Sequence, residues 1–329
     1  MDLLVIGGTR FVGRHLVRSA LSGGHRVTLL HRQGIDPFPE AEHLHADRGG
    51  DLAVLADRRF DATVDVCAYW PRQVRTLGEA LAEDRSGHYE LVSSVSAYAG
   101  TDAAGADESA ALADRAPGHG CDPDSWPMTD RTYGPLKVAC ERAAAHRFAR
   151  LTVVRPTYVV GPYDPTHRFC WWLDRLSRGG EVLAPGPHDA PVQLVDAADL
   201  GKWMVGLADG GITGAYHACS TEPGWTFGEL LEAIAGSVAP AGTRLRWVDG
   251  EWLREQGVDE SDLPLWSEGR HDSVMALDPA AGRRTGLGSR AAAETIRDTW
   301  RWMQGSDFRS GRRRLDAGRE TELLSRAPG

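Results

Sequence analysis

A short apolar strand running straight into a glycine-rich turn constrains this chain more than any other feature. Leu3-Leu4-Val5-Ile6 is followed at once by Gly7-Gly8-Thr9-Arg10-Phe11-Val12-Gly13. A buried strand ending on glycines lets the backbone pass close to a ligand. The helix that follows aims its unpaired N–H groups at the same place. Such a turn suits an anion of the pyrophosphate type and belongs to sheets whose strands run parallel. Its spacing is irregular, because Arg10 takes the middle position of Gly-x-x-Gly-x-x-Gly. A glycine-rich turn alone is a weak signal, so the rest of the chain must support it.

The support begins with alternation. Apolar runs predict strands at 3–6, 26–30, 43–46, 62–67, 89–93 and 151–155, and helices fit at 11–22, 71–84 and 133–149. Strands alternating with helices imply an α/β fold, a parallel sheet with helices on both faces. Residues 99–130 break the rhythm; rich in Gly, Ala, Asp and Pro, they read as a flap beside the active site. After Arg155-Pro156 the elements shorten and prolines multiply. A strand at 192–195, helices at 197–208 and 226–236, a strand at 244–248 and a helix at 290–303 suggest a smaller α/β second domain. The expected division is 1–160, with some later segments returning to it, then 161–305, then a charged tail at 306–329 with an amphipathic patch at Glu320–Leu324. Nine of the 11 tryptophans lie after residue 160, which favours packing in that domain over an aromatic pocket.

Composition removes several classes. The formal net charge of −9 argues against a nucleic-acid surface. No apolar run approaches a membrane span, and a first strand beginning at residue 2 leaves no room for a signal peptide. Five scattered cysteines without a Cys-x-x-Cys fit a reduced, cytoplasmic setting rather than disulfides or a zinc site. His43-x-His45 is the tightest histidine pair, but no Cys, Asp or Glu marks it as a metal site, and no metal is expected.

The chemistry lies further along. Tyr133-Gly134-Pro135-Leu136-Lys137 fits the start of a helix capped by Asp130 or Thr132. Residues four apart share a helical face. A phenol titrates near ~10, and an ammonium one turn away favours its phenolate. Tyr133 is then suited to exchange a proton with a carbonyl or alcohol. Val92-Ser93-Ser94-Val95-Ser96 places hydroxyls at the C-terminal end of a central strand, where open α/β sheets bind ligands.

Together the turn, Ser93–Tyr98, Tyr133-x-x-x-Lys137, Arg155-Pro156…Gly161-Pro162 and Val195-Asp196-Ala197-Ala198-Asp199-Leu200 resemble the extended short-chain dehydrogenase/reductase superfamily, from residue 2 to about 303. That group contains sugar-nucleotide epimerases and dehydratases. The resemblance implies a Rossmann-type doubly wound sheet. It places Gly7, Gly8 and Gly13 at the cofactor pyrophosphate, with Thr9, Arg10, Phe11 and Val12 in the same cofactor-binding turn, and Asp47 at the adenine. Val66, Cys67 and Ala68 would run past the ribose, with Ser93 beside them. Ser94 would be the catalytic hydroxyl, Tyr133 the acid/base, and Lys137 the residue that binds the nicotinamide ribose and tunes Tyr133. Pro156 and Tyr158 would lie near the nicotinamide.

Two departures from the family pattern sharpen the reading. NAD-dependent members usually carry an acid where this chain has His31, and here Arg32 follows, with Arg10 in the adjacent turn. Two guanidinium groups suit a ribose 2′-phosphate, so NADP(H) is favoured over NAD(H). The family's Asn after the Arg-Pro strand and its diphosphate-pairing arginine before Val-x-Asp are replaced by Thr157-Tyr158 and Ala190-Pro191-Val192-Gln193. Arg168 and Arg270 are the candidates to substitute. Ser94, Ser96, Thr157, His167, Arg168 and Gln193 are the candidate substrate contacts, while Glu141 fits a structural role. The expected activity is a reductase acting on a small-molecule carbonyl or alcohol, without nucleic-acid or membrane partners. An NAD-dependent epimerase or dehydratase is the first alternative, and a non-catalytic cofactor-sensing or RNA-binding relative the second. A homodimer is expected by analogy alone.

Overall fold

The apolar runs of the first half fold into one parallel sheet. The computed structural model describes the chain except residues 33, 35, 82–84, 101–103, 117, 119, 220–224, 268–273, 307, 309–313 and 329. In chain order the first elements are β1 (Asp2–Ile6), α1 (Phe11–Ser22), β2 (Arg26–His31), β3 (Glu42–His45), β4 (Ala62–Asp65), α2 (Pro71–Ala80), β5 (His88–Val92), α3 (Asp130–Arg147) and β6 (Leu151–Pro156). Then come β7 (Tyr158–Val160), α4 (Arg168–Ser177), β8 (Glu181–Pro185), β9 (Pro191–Val192), β10 (Leu194–Asp196), α5 (Ala197–Gly210) and β11 (Gly214–Ala218). The last are β12 (Trp225–Thr226), α6 (Phe227–Val238), β13 (Arg244–Val248), α7 (Gly250–Glu255), α8 (Ala280–Arg284), α9 (Ala292–Gln304) and α10 (Ala317–Arg326). No helix among the described residues is long and apolar enough to cross a membrane.

Seven parallel strands are ordered β11-β6-β5-β4-β1-β2-β3. The chain leaves β1 toward β2 on one side, and β4 pairs on the other, so a crevice opens at the ends of β1 and β4. Both faces of the sheet are apolar. Leu4, Ile6, Leu30 and Leu91 pack with residues of α2 and α3. Leu3, Val5, Leu29 and Val64 pack with residues of α1 and α5. Because α5 and β11 complete this unit, it is discontinuous in sequence. A second core joins α4, β8, α6, β13, α9 and α10 and contains Trp171, Trp172 and Trp266. Packing thus accounts for much of the tryptophan excess.

Several boundaries differ from expectation. β4 ends at Asp65, because that carboxylate accepts the Cys67 N–H (3.1 Å) and draws the chain out of the ladder. Helix α3 starts at Asp130 and is capped by Thr129, not by Asp130 or Thr132. The Thr129 hydroxyl accepts the Thr132 N–H (3.3 Å) and the Thr132 hydroxyl accepts the Thr129 N–H (2.9 Å). The strand expected at 192–195 divides into β9 and β10 at Gln193. The tail is not merely charged: α10 buries Glu320, Leu323 and Leu324 in the second core. Helix α2 is shorter than expected, and residues 82–84 lie outside the described ones.

Candidate active site

The turn after β1 is shaped by backbone geometry that side chains resist. Gly7 and Gly8 have φ of +100° and +83°, a left-handed region open to glycine at little cost. A Cβ on Gly13 would lie 2.7 Å from the Gly8 backbone, so the bare Gly13 lets α1 close on the turn. Arg10 occupies the N-cap of α1 without a side-chain cap, and the first helical turn holds no acid. A Cβ on Gly7 would fall 2.8 Å from the Val66 side chain and 3.3 Å from the Cys67 sulfur, which puts the turn against Val66 and Cys67. A cradle of bare backbone and uncapped N–H groups fits the pyrophosphate of a dinucleotide.

Ser94 follows the end of β5, against α3, the helix that carries Tyr133 and Lys137. Ser94 leaves β5 as the N-cap of a 3-10 turn, Val95–Ala97; its hydroxyl accepts the Ser96 N–H (3.1 Å) and reaches the Ser96 hydroxyl (3.2 Å). Helix α3 approaches this turn so closely that a Cβ on Gly134 would overlap the Ser96 carbonyl oxygen. Gly134 therefore sets how closely α3 packs on the turn after Ser94, a role the spacing of Tyr and Lys does not reveal. Lys137 is buried, and its ammonium donates to the carbonyls of Ala68 (2.8 Å) and Val92 (2.7 Å). It thereby joins the ends of the β4 and β5 segments to α3. The exposed ring of Tyr69 lies 5.3 Å from the same nitrogen.

Three phenols lie in this region, and their surroundings separate them. The Tyr98 hydroxyl is 2.5 Å from His217 Nε2 and accepts from Arg155 (2.8 Å), and burial pushes it up to about 12. Burial likewise lowers the His217 imidazole. Tyr69 faces the Lys137 ammonium with its ring. Tyr133 is half-buried, and no hydrogen bond ties its hydroxyl to another described residue. Of the three, Tyr98 has its hydroxyl committed to described neighbours, while Tyr133 lies on the helix that packs against the turn after Ser94.

Beneath these residues lies a buried polar frame. Arg155 donates to both oxygens of Glu141 (3.1 and 2.7 Å), and Glu141 also accepts from the Ser93 hydroxyl. Ser93 is thus committed to α3, and the structural reading of Glu141 agrees with its contacts. Arg48 forms a two-pronged pair with Asp65 (2.5 and 2.6 Å), and the Tyr89 hydroxyl donates to Asp65 (2.9 Å). Burial pushes the Asp65 carboxyl up, but the guanidinium more than offsets it and holds Asp65 below the usual range. This pair sits under Cys67, whose thiol lies 3.3 Å from Arg48.

The other candidate residues fall into groups. Arg10 and Arg32 are exposed, and neither forms an ion pair among the described residues. Asp47 is exposed, and its carboxylate accepts the Gly49 N–H (2.8 Å). His31 turns its ring away from solvent toward His43 and Asp36, so the acid that His43-x-His45 lacked in the sequence is supplied by the loop after β2. Pro156 ends β6 beside β11, and the N–H of Thr157 just after it donates to Ala218 O (3.1 Å). The Arg168 guanidinium lies over the Tyr158 ring at 5.2 Å, and His167, at the left-handed N-cap of α4, packs on Phe308. Gln193 is buried, and its amide both donates to Leu277 O (2.8 Å) and accepts Leu277 N–H (3.0 Å). It clamps a backbone segment instead of presenting a free polar group. Asp196 caps α5 by accepting the Ala198 N–H (2.7 Å). Arg270 lies outside the described residues.

The 99–130 segment is anchored where it is described. Ala99 and Ala113 N–H groups bond Ala111 O and Ala97 O, and Trp126 packs with Leu136 of α3. Arg72 and Arg75 hold Asp124.

Comparison with known proteins agrees with this architecture. Residues 3–214 match the NAD dependent epimerase/dehydratase family. The chloroplast stem-loop binding protein of 41 kDa b from Arabidopsis thaliana is 27% identical over 221 residues, 60% of this chain and 52% of that protein. The match thus spans about half the length of that curated relative. UDP-N-acetylglucosamine 4-epimerase from Bacillus cereus superposes with a TM-score of 0.69 at 17% identity, covering 93% of this chain and 100% of that one. A dTDP-glucose 4,6-dehydratase from Streptomyces venezuelae, solved with NAD bound, gives 0.64 at 22% identity over 93% and 98%. At such identities the solved structures establish the fold.

Proposed function

The chain belongs to the NAD dependent epimerase/dehydratase family, and from that premise we propose that it is an NADP(H)-dependent reductase of a small-molecule carbonyl, with Ser94, Tyr133 and Lys137 as its catalytic set. Family membership supports NAD(P)-dependent oxidoreduction as the class of chemistry. The observation that carries the finer reading is at the end of β2. No acid stands at position 31, His31 is turned into a cluster of its own, and the exposed Arg32 and Arg10 carry no ion pair among the described residues. Two such guanidinium groups suit a 2′-phosphate.

Gly7, Gly8 and Gly13 would hold the pyrophosphate at the start of α1, and the nicotinamide supplies or takes the hydride. Tyr133 gives a proton to the substrate oxygen in reduction and recovers it in oxidation. The Ser94 hydroxyl orients that oxygen and stabilises negative charge growing on it. Lys137, fixed by two carbonyls, keeps a positive charge one helical turn from Tyr133. The absence of the family's arginine before Val195-Asp196 supports a substrate without a nucleoside diphosphate.

Tyr133→Phe is expected to lower kcat by about 100-fold or more while NADPH still binds. Near-normal turnover would remove Tyr133 from the mechanism, and a clear preference for NADH would remove the NADP(H) reading. Family membership also supports epimerisation or dehydration. That alternative expects tightly retained NAD and no net cofactor consumption, so the absorbance spectrum of the purified protein and a turnover assay separate the two. The name of the Arabidopsis relative, a stem-loop binding protein, bears on the RNA-binding alternative. The acidic charge weighs against it, and binding of a stem-loop RNA at physiological salt would revive it.

A further inference from the structure

A second group of chemically able side chains lies at the edge of the sheet, outside the Ser94–Tyr133–Lys137 site. Strand β2 ends in His31, and the edge strand β3 carries His43 and His45. Their parallel register pairs His31 with His45 and Leu29 with His43. With a period of two, the three imidazoles share one face. The loop after β2 folds back over that face and delivers Asp36. Asp36 Oδ1 is 3.4 Å from His31 Nε2, 3.3 Å from His43 Nδ1 and 3.4 Å from His45 Nε2. All four ligand atoms lie within 4.8 Å of one another. A zinc ion held at roughly 2.0–2.1 Å by four tetrahedral ligands spaces them about 3.3–3.4 Å apart. The three separations from Asp36 match that spacing.

The outer nitrogens add an independent constraint. His31 Nδ1 lies 2.8 Å from Arg32 O, and His43 Nε2 lies 2.8 Å from Phe38 O. A carbonyl oxygen only accepts, so both outer nitrogens must carry hydrogen. Neutral rings then present lone pairs inward, yet His31 Nε2 and His43 Nδ1 are 2.9 Å apart. A positive centre is needed between them. A proton satisfies one pair of atoms, whereas a metal ion satisfies both rings, His45 and Asp36 together. Backbone carbonyls that fix the tautomer of ligand histidines are the usual outer support of such sites.

We propose that His31, His43, His45 and Asp36 form a closed, four-ligand site for a divalent transition metal, with zinc the ion that best suits three imidazoles and a carboxylate. Four protein ligands leave no open coordination position, so the site is structural. It pins the loop after β2 to the sheet edge and fixes the place of Arg32. The proposal is independent of the reductase reading.

The test uses the full chain after removal of metal with a chelator. Zinc is titrated against a chromophoric competitor, thermal unfolding is followed with and without zinc, and cobalt(II) serves as a spectroscopic probe. One zinc per chain, a higher Tm with zinc, and the visible absorption of tetrahedral cobalt(II) are expected. Asp36→Asn and His45→Gln, at the two most exposed ligand positions, should keep the native circular dichroism and weaken zinc binding roughly tenfold or more. His146→Gln, on the exposed side of α3, should change nothing. Absence of saturable binding, which is the result if a proton alone lies between the rings, would overturn the site. So would a six-coordinate cobalt spectrum, or affinity unchanged in both ligand variants.

Discussion

Glu90 sits in the middle of β5 with both carboxyl oxygens buried and no hydrogen-bond partner among the described residues. Burial raises its pKa well above the usual carboxylate value. The native state therefore keeps this proton at pH values where the unfolded chain has released it. Such a group leaves stability intact below the unfolded pKa of about 4.3 and lowers it as pH rises toward the folded value. Glu90→Gln should change Tm little near pH ~4 and raise it relative to the parent near pH ~8. Parallel Tm–pH curves for the two proteins would disprove a neutral buried acid. A second single-residue outcome concerns Arg32: Arg32→Glu should raise KM for NADPH about tenfold or more and leave KM for NADH nearly unchanged, since it removes a phosphate partner and adds a like charge. Tyr133 and Lys137 were legible because four residues along a helix is a fixed distance. Asp36 was not, because its place beside His43 depends on the register of β2 with β3 and on the return path of a loop.

Helix α3 shows how two correctly placed elements still depend on the contact between them. Its face against the Val95–Ala97 turn is bare at Gly134, where any Cβ overlaps the Ser96 carbonyl. Gly134→Ala should displace α3 and with it Tyr133 and Lys137. A shift of about 1 Å in a catalytic group costs on the order of 100-fold in rate, and overpacking a tight contact costs about 1–3 kcal/mol. Steady-state kinetics and thermal unfolding of the same sample check both effects. Unaltered kcat with unaltered Tm would show that the contact yields freely. The strands of the sheet were legible from their apolar runs, but their ends were not. β4 stops at Asp65, whose own carboxylate takes the Cys67 N–H, and β9 parts from β10 where the Gln193 amide takes up Leu277. The first is a local side-chain bond and the second a tertiary one, and apolar periodicity encodes neither.

Among the described residues the sheet is packed on both faces and a further core gathers α4, α6, α9 and α10, and the chain closes that core late. Glu320 of α10 pairs with Arg175 of α4 (2.6 Å) and accepts the Leu183 N–H (3.0 Å), all in buried surroundings. Removing one member leaves the other charge without its partner, a change that costs about 3–5 kcal/mol. Glu320→Ala should therefore lower the denaturant midpoint markedly, and a second change, Arg175→Met, should restore part of the loss. Equal midpoints for the parent and Glu320→Ala would show that the pair contributes nothing net. The alternating first half made the sheet legible. The second unit was less so, because its short strands pair across long sequence intervals and α10 looks, locally, like a charged tail with one apolar patch.

That late closure bears on the order in which the protein is made. Trp171 and Trp172 are buried in the finished molecule, while Leu323 and Leu324, which pack in the same core, follow about 150 residues later. At roughly 5–20 residues per second, the ribosome delivers them on the order of ten to thirty seconds after the tryptophans. For that interval the nascent chain carries a completed α4 whose apolar side lacks its last neighbours. Nascent chains arrested before α10 should therefore be the ones most in need of a chaperone.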